Sequence, residues 1–228
     1  MDFVITPQAI PAVPVVGSDK SFPVRRIYCV GRNYGDHVKE MGGDPKSEPP
    51  VFFSKPATAC VVKNQDVNYP QATKDLHHEV ELVVALASGG KNIAADTALD
   101  CVFGYAVGID FTRRDLQTIA KDNGRPWDTA KGFDQSAPVS AINPVANCGH
   151  PADSEIVLSV NGEIRQQAKL NEMIWSVAEI ISELSRYYEL MPGDLIYTGT
   201  PAGVAAISAG ERLSATIEGV GEIEFNVI

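Results

Sequence analysis

His77-His78-Glu79-Val80-Glu81-Leu82-Val83-Val84-Ala85-Leu86-Ala87 changes character partway along. A polar head carrying one valine gives way to an unbroken apolar run. A short aliphatic run without helical period reads as a buried strand. The spacing therefore predicts a strand over 79–87 with its head at a rim and its body in a core. Side chains alternate along a strand, so Glu79 and Glu81 leave on one face and Val80 on the other. Two carboxylates side by side and partly buried repel each other unless one is protonated or a cation lies between them. In an acidic chain an arbitrary E-x-E is more often a solvated edge. The rim-to-core setting is what favours a site here.

A second apolar run, Val102–Ile109, predicts another strand, and it ends in Ile109-Asp110-Phe111. An acid at that strand end is placed to complete a three-oxygen site with Glu79 and Glu81. Carboxylate-only ligation selects a hard cation, Mg²⁺ or Mn²⁺, with Ca²⁺ as the other candidate. Zinc on His77 and His78 is disfavoured, because zinc sites need further Cys or His partners and none stands nearby; hydrogen bonding is the expected role of both. Residues 112–121 have helical spacing, and a helix running on from Asp110 would put Asp110, Arg114 and Gln117 on one face. An arginine there can take a carboxylate through two parallel hydrogen bonds. The plain alternative is a helix-surface Asp–Arg pair, and Arg113 and Asp115 are expected to be solvated.

Outward from these runs, strands are predicted at 26–30, 51–54, 59–62 and 195–198, with a closing hairpin over 211–228 that turns near Gly219 and Gly221. Helices are predicted at 33–41, ended by Gly42-Gly43, and at 173–190, where Ile174, Val177, Ile181, Leu184 and Tyr188 recur at spacings of three and four. Residues 1–24, with Pro7, Pro11, Pro14 and Pro23, read as an extended lead-in to a single domain over 25–228. The fold class is α+β, dominated by strands.

The formal net charge of −10 argues against nucleic acid as a partner. No stretch is long and apolar enough to span a bilayer, and the N-terminus lacks the pattern of a signal peptide. Four scattered cysteines without a C-x-x-C pair read as reduced thiols of a cytoplasmic protein. His37 and Glu40 stand three apart on the first helix candidate, where a carboxylate can orient an imidazole as a general base. The glycines and prolines after them suit a lid.

Val30-Gly31-Arg32-Asn33-Tyr34, Asp36-His37, Lys55-Pro56 and His77 to Leu82 together resemble the fumarylacetoacetate hydrolase family. Gly104-Tyr105, Asp110-Phe111-Thr112, Arg114 to Gln117, Trp127 with Ala130-Lys131, and Thr198 to Pro201 extend the resemblance to nearly all the chain from about Arg25. The short acylpyruvase branch is the nearest in pattern. The resemblance implies stacked, rolled mixed β-sheets with a few surface helices, a homodimer, and Mg²⁺ or Mn²⁺ on Glu79, Glu81 and Asp110. It implies a small 2,4-diketo acid as substrate, such as fumarylpyruvate or maleylpyruvate, split between C3 and C4. Arg114, Gln117 and Thr200 would then hold the keto-acid head. His37, oriented by Glu40, would activate water, and Lys131 would lie near the enolate. A fumaryl group would ask for a further cation such as Arg32 or Lys46. The alternatives are an oxaloacetate decarboxylase or tautomerase on the same site, and a non-catalytic small-acid-binding relative.

Overall fold

The computed structural model describes residues 3–35 and 49–228. Its early strands are β1 (Ala12–Pro14), β2 (Ser21–Pro23), β3 (Arg26–Gly31), β4 (Val51–Lys55) and β5 (Cys60–Val61). The middle of the chain gives β6 (Leu76–His78), β7 (Val80–Leu86), β8 (Val102–Ile109), β9 (Thr112–Arg113), β10 (Ala137–Pro138) and β11 (Asn143–Pro144). The last third gives β12 (Glu155–Val160), β13 (Glu163–Lys169), β14 (Asp194–Tyr197), β15 (Ala205–Ala206), β16 (Arg212–Ile217) and β17 (Gly221–Asn226). Among the described residues the α-helices are α1 (Arg114–Asp122), α2 (Asp128–Lys131), α3 (Val145–Cys148) and α4 (Val177–Tyr187). The fold is β-dominated with mixed sheets, in line with the strand-rich reading of the sequence.

The central sheet runs β11-β8-β7-β14-β3-β4, with β14 and β3 parallel and the other pairs antiparallel. Every residue of β7 is buried, because the sheet is covered on both faces. Leu82, Val84 and Leu86 of β7, with Val107 and Ile109 of β8, meet the sheet β13-β12-β16-β17 through Ile156, Leu158, Leu213 and Phe225. The apolar stripe of α4, Ile180, Ile181 and Leu184, joins that core. Val83 and Ala85 point the other way, into a second core with Ile27, Cys29, Leu195 and Tyr197. Val13 and Phe22, from the antiparallel pair β1–β2, seal this face. From residue 12 the lead-in forms this antiparallel pair and is pinned to the core.

Several boundaries differ from the sequence reading for tertiary reasons. The predicted helix 112–121 starts only at Arg114, since Thr112 and Arg113 pair with His77 and Leu76 of β6. Asp110 is therefore not on the face of α1. The predicted helix 173–190 shrinks to α4. Asn33 holds Ile174 and Trp175 by backbone and side-chain bonds, and a Ser176–Glu179 capping box then starts the helix. The strand expected over 59–62 is a 3₁₀ turn followed by the two residues of β5. Of the predicted helix 33–41, Tyr34 bridges to Met173, and residues 36–41 lie outside the described residues.

Candidate active site

The register of β7 on β8 builds the acidic cluster. Val80 pairs with Ile109, so the strand ends bring Glu79 opposite Asp110, whose N–H donates to the Glu79 carbonyl at 2.8 Å. Glu81, two residues on, shares the face of Glu79. One oxygen from each of Glu79, Glu81 and Asp110 lies within 4.8 Å of the others, and all three residues are buried. Burying three carboxylates in contact demands positive charge. Lys131 Nζ supplies part of it, 2.7 Å from Glu79 Oε2 and 2.7 Å from Asp110 Oδ2. Lys55 Nζ stands 2.8 Å from Asp110 Oδ1, and Arg114 pairs with Glu79 Oε1. Glu81 accepts the Gly199 N–H at 2.8 Å. Gly199 has φ +96, and a Cβ there would come within 2.7 Å of the Asn33 side chain, so only glycine serves.

The donor set suits a divalent cation. Burial, then Asp110 and Glu79, push the Glu81 carboxyl well above its ordinary range. The local cations do not fully offset the cluster. Burial alone would depress Lys131, but Asp110 and Glu79 hold its ammonium charged. Asp110 Oδ1 faces Lys55 off the direction of a hydrogen bond, which keeps that buried oxygen open to a further positive partner. Three hard oxygens in one buried cluster match Mg²⁺ or Mn²⁺ chemistry.

Beside the acids, the first turn of α1 contributes Arg114 and Gln117. Arg114 Nη1 donates to Gln117 Oε1, Nη2 to Glu79, and Nε to His77 Nδ1 at 3.4 Å. A guanidinium has five N–H donors, so these three contacts orient it and leave two for a ligand. Although Asp110 is off the helix, the structure brings it together with Arg114 and Gln117. Arg113 and Asp115 are not simply solvated. Arg113 stacks 4.3 Å over Phe133, while Asp115 accepts from Thr73 Oγ1 at 2.6 Å and from two backbone N–H groups.

Thr200 is placed by a residue that sequence reading missed. Gln166, buried in β13, donates to Thr200 Oγ1 at 2.8 Å and to the Pro201 carbonyl at 2.9 Å. Its Oε1 meets His78 Nδ1 at 3.0 Å and the Val80 N–H at 3.2 Å. The Thr200 hydroxyl in turn donates to the Val80 carbonyl at 2.8 Å. With its proton so used, Thr200 can offer a bound carboxylate its backbone N–H rather than its hydroxyl. Burial pushes the His78 imidazole below its usual value, favouring the neutral ring in this network. Lys55 is a strut as well as a counter-charge, donating to the carbonyls of Phe111 and Lys131.

Glu79, Glu81, Arg114, Gln117, Lys131 and Thr200 line an open cleft, shared with Arg32, Phe53, Lys121 and Trp127. Trp127 is therefore a wall of the site as well as a packing residue. Tyr105 packs elsewhere, bonded to His150 Nδ1 at 2.6 Å. His37, Glu40 and Lys46 lie outside the described residues.

The family model for the fumarylacetoacetate hydrolase C-terminal domain matches residues 26–228. The chain belongs to this family. Fumarylpyruvate hydrolase from Pseudomonas aeruginosa, crystallised in complex with Mn²⁺ and pyruvate, is 48% identical with a TM-score of 0.98, and the match covers 100% of this chain and 99% of that one. Fumarylpyruvate hydrolase of a Ralstonia species is 42% identical over 81% of this chain and 95% of its own length. The mitochondrial oxaloacetate tautomerase of Mus musculus is 46% identical over 89% of this chain and 91% of its own. This member of the fumarylacetoacetate hydrolase family thus has relatives named for two reactions, and one structural neighbour was crystallised with Mn²⁺. None of its described helices is long and apolar enough to cross a membrane.

Proposed function

We propose that this chain is a metal-dependent acylpyruvate hydrolase that splits the C3–C4 bond of a 2,4-diketo acid such as fumarylpyruvate or maleylpyruvate. The observation that carries the reading is the convergence of Glu79, Glu81 and Asp110 with Arg114, Gln117 and Lys131 in one cleft. A cation held by the three acids would supply Lewis-acid stabilisation of the negative charge that builds on the keto acid.

The chain's own groups divide the remaining work. Arg114 and the Thr200 N–H receive the 1-carboxylate, and the Gln117 amide orients the 2-keto group. His37, oriented by Glu40, takes a proton from water as its oxygen bonds to C4. The C3–C4 bond breaks, its electron pair passes to C3 and the 2-keto oxygen, and C3 is then protonated to give pyruvate. Lys131 uses two of its three N–H bonds on Glu79 and Asp110, and the third can meet the developing enolate oxygen. The homodimer implied by the resemblance belongs to the same proposal and is read by sedimentation equilibrium.

The named mouse relative supports a second reading, tautomerisation of oxaloacetate, which needs the enolate site but no attacking water. Offering the metal-loaded protein fumarylpyruvate, maleylpyruvate, acetylpyruvate and oxaloacetate, each with and without chelator, separates the two. Hydrolysis is expected to lead and to vanish on chelation. Turnover confined to oxaloacetate would replace it with the second reading.

A further inference from the structure

Helix α1 carries more than the head-group pair. Lys121 follows Arg114 by seven residues and Gln117 by four, so all three lie on one helical face. Seven residues span about 10 Å of helix axis. Lys121 thus lines the same cleft as Arg114 from two turns further along the helix, and Arg32 lines that cleft too. The chain then turns back through Gly124, φ +60, and brings Trp127 against the helix end. Lys121 Nζ lies 5.3 Å from the centre of the Trp127 ring. Among the described residues it makes no ion pair with a carboxylate. Burial, then Arg114 and Arg32, push its ammonium down to about 8, with Glu79 acting in the opposite direction.

We propose that Lys121, seated on Trp127, is a specificity-determining residue that receives the distal carboxylate of a dicarboxylic keto acid whose head group Arg114 holds. The assignment rests on the acylpyruvase reading for the reaction, though not for the binding. A seven-carbon diacid in extended form is of the same order of length as the roughly 10 Å of helix axis between Arg114 and Lys121. A monocarboxylic acid of the same length would leave a partly desolvated ammonium facing methylene groups.

The test uses the Mn²⁺-loaded full chain and two probes that cannot be hydrolysed, 2-oxoheptanedioate and 2-oxoheptanoate, which differ in the distal carboxylate alone. Calorimetric titration is expected to show the diacid binding roughly tenfold to a hundredfold tighter, the range for one charged hydrogen bond. Lys121→Met should abolish that preference and leave 2-oxoheptanoate binding within about threefold, since the aliphatic stem over Trp127 is kept. Lys121→Arg should restore part of it. Fumarylpyruvate and acetylpyruvate turnover then gives a second readout, with the loss in Lys121→Met confined to fumarylpyruvate and mainly in KM. No diacid preference in the parent protein, a preference that survives in Lys121→Met, or equal weakening of both probes would overturn the assignment. Absence of turnover with the binding preference intact would instead sink only the hydrolytic reading.

Discussion

At the residue scale, Lys131 is the group whose substitution separates binding from chemistry. Its ammonium sits 2.7 Å from two of the three metal-site acids. Removing it takes a positive charge away from the place of the cation, so Lys131→Met should bind Mn²⁺ at least as tightly as the parent. Loss of its donor to the enolate should lower kcat roughly a hundredfold. Isothermal titration with Mn²⁺ beside steady-state kinetics checks both; weaker metal binding would show Lys131 to be a structural prop for the ligands. The three acids themselves were legible in the sequence because strand alternation and a strand-end position are local properties. Lys121 was not, because the polar spacing of 112–121 marked a helix without showing that its last turn faces the cleft.

At the scale of elements, the site is held between two sheets. Gln166 of β13 ties β6, β7 and the Thr200 turn together through four hydrogen bonds. Gln166→Leu keeps the volume but strands the Val80 N–H, the His78 ring and the Pro201 carbonyl. A loss of about 3 kcal/mol in urea unfolding is expected from unpaired buried polar groups. Turnover should fall as well, chiefly through KM, because the Thr200 turn loses its anchor. A variant with unchanged stability and KM would remove Gln166 from the design. In sequence Gln166 sits in the polar stretch Glu163–Lys169, most of which is exposed, and nothing local distinguishes it from its neighbour Gln167. The helix boundaries failed for a similar reason. Thr112 and Arg113 have helical neighbours on one side, yet pairing with β6 satisfies their backbone groups in strand form.

At the scale of the whole molecule, the buried acids couple folding to pH and to metal. A raised folded-state value for Glu81 means that the folded protein binds more protons than the unfolded chain. Stability of the metal-free protein should therefore fall as pH rises from the ordinary value of 4.5 towards the raised one. Metal needs the ionised carboxylates, so Mn²⁺ should stabilise more strongly as pH rises, by about 2.7 kcal/mol at a hundredfold excess over Kd. Melting curves between about pH 5 and 8 with Mn²⁺ or chelator read both slopes. A Mn²⁺ effect independent of pH would separate the acids from the metal. The other face of the central sheet depends on the lead-in, where Phe22 is 7% exposed and stacks 5.4 Å from Phe103. Phe22→Ala should cost about 3 kcal/mol or more, whereas an unchanged melting temperature would make the β1–β2 cover dispensable. The amino-acid sequence by itself determined the strand-rich class, the paired Glu79 and Glu81, and Asp110 at a strand end, since each follows from a local pattern, an apolar run or strand alternation. Only the tertiary structure decided that Glu79 faces Asp110, that Lys131 and Lys55 neutralise them, and that Gln166 and Lys121 belong to the site. Those contacts join residues far apart in the chain, and their energies depend on burial that no local pattern records.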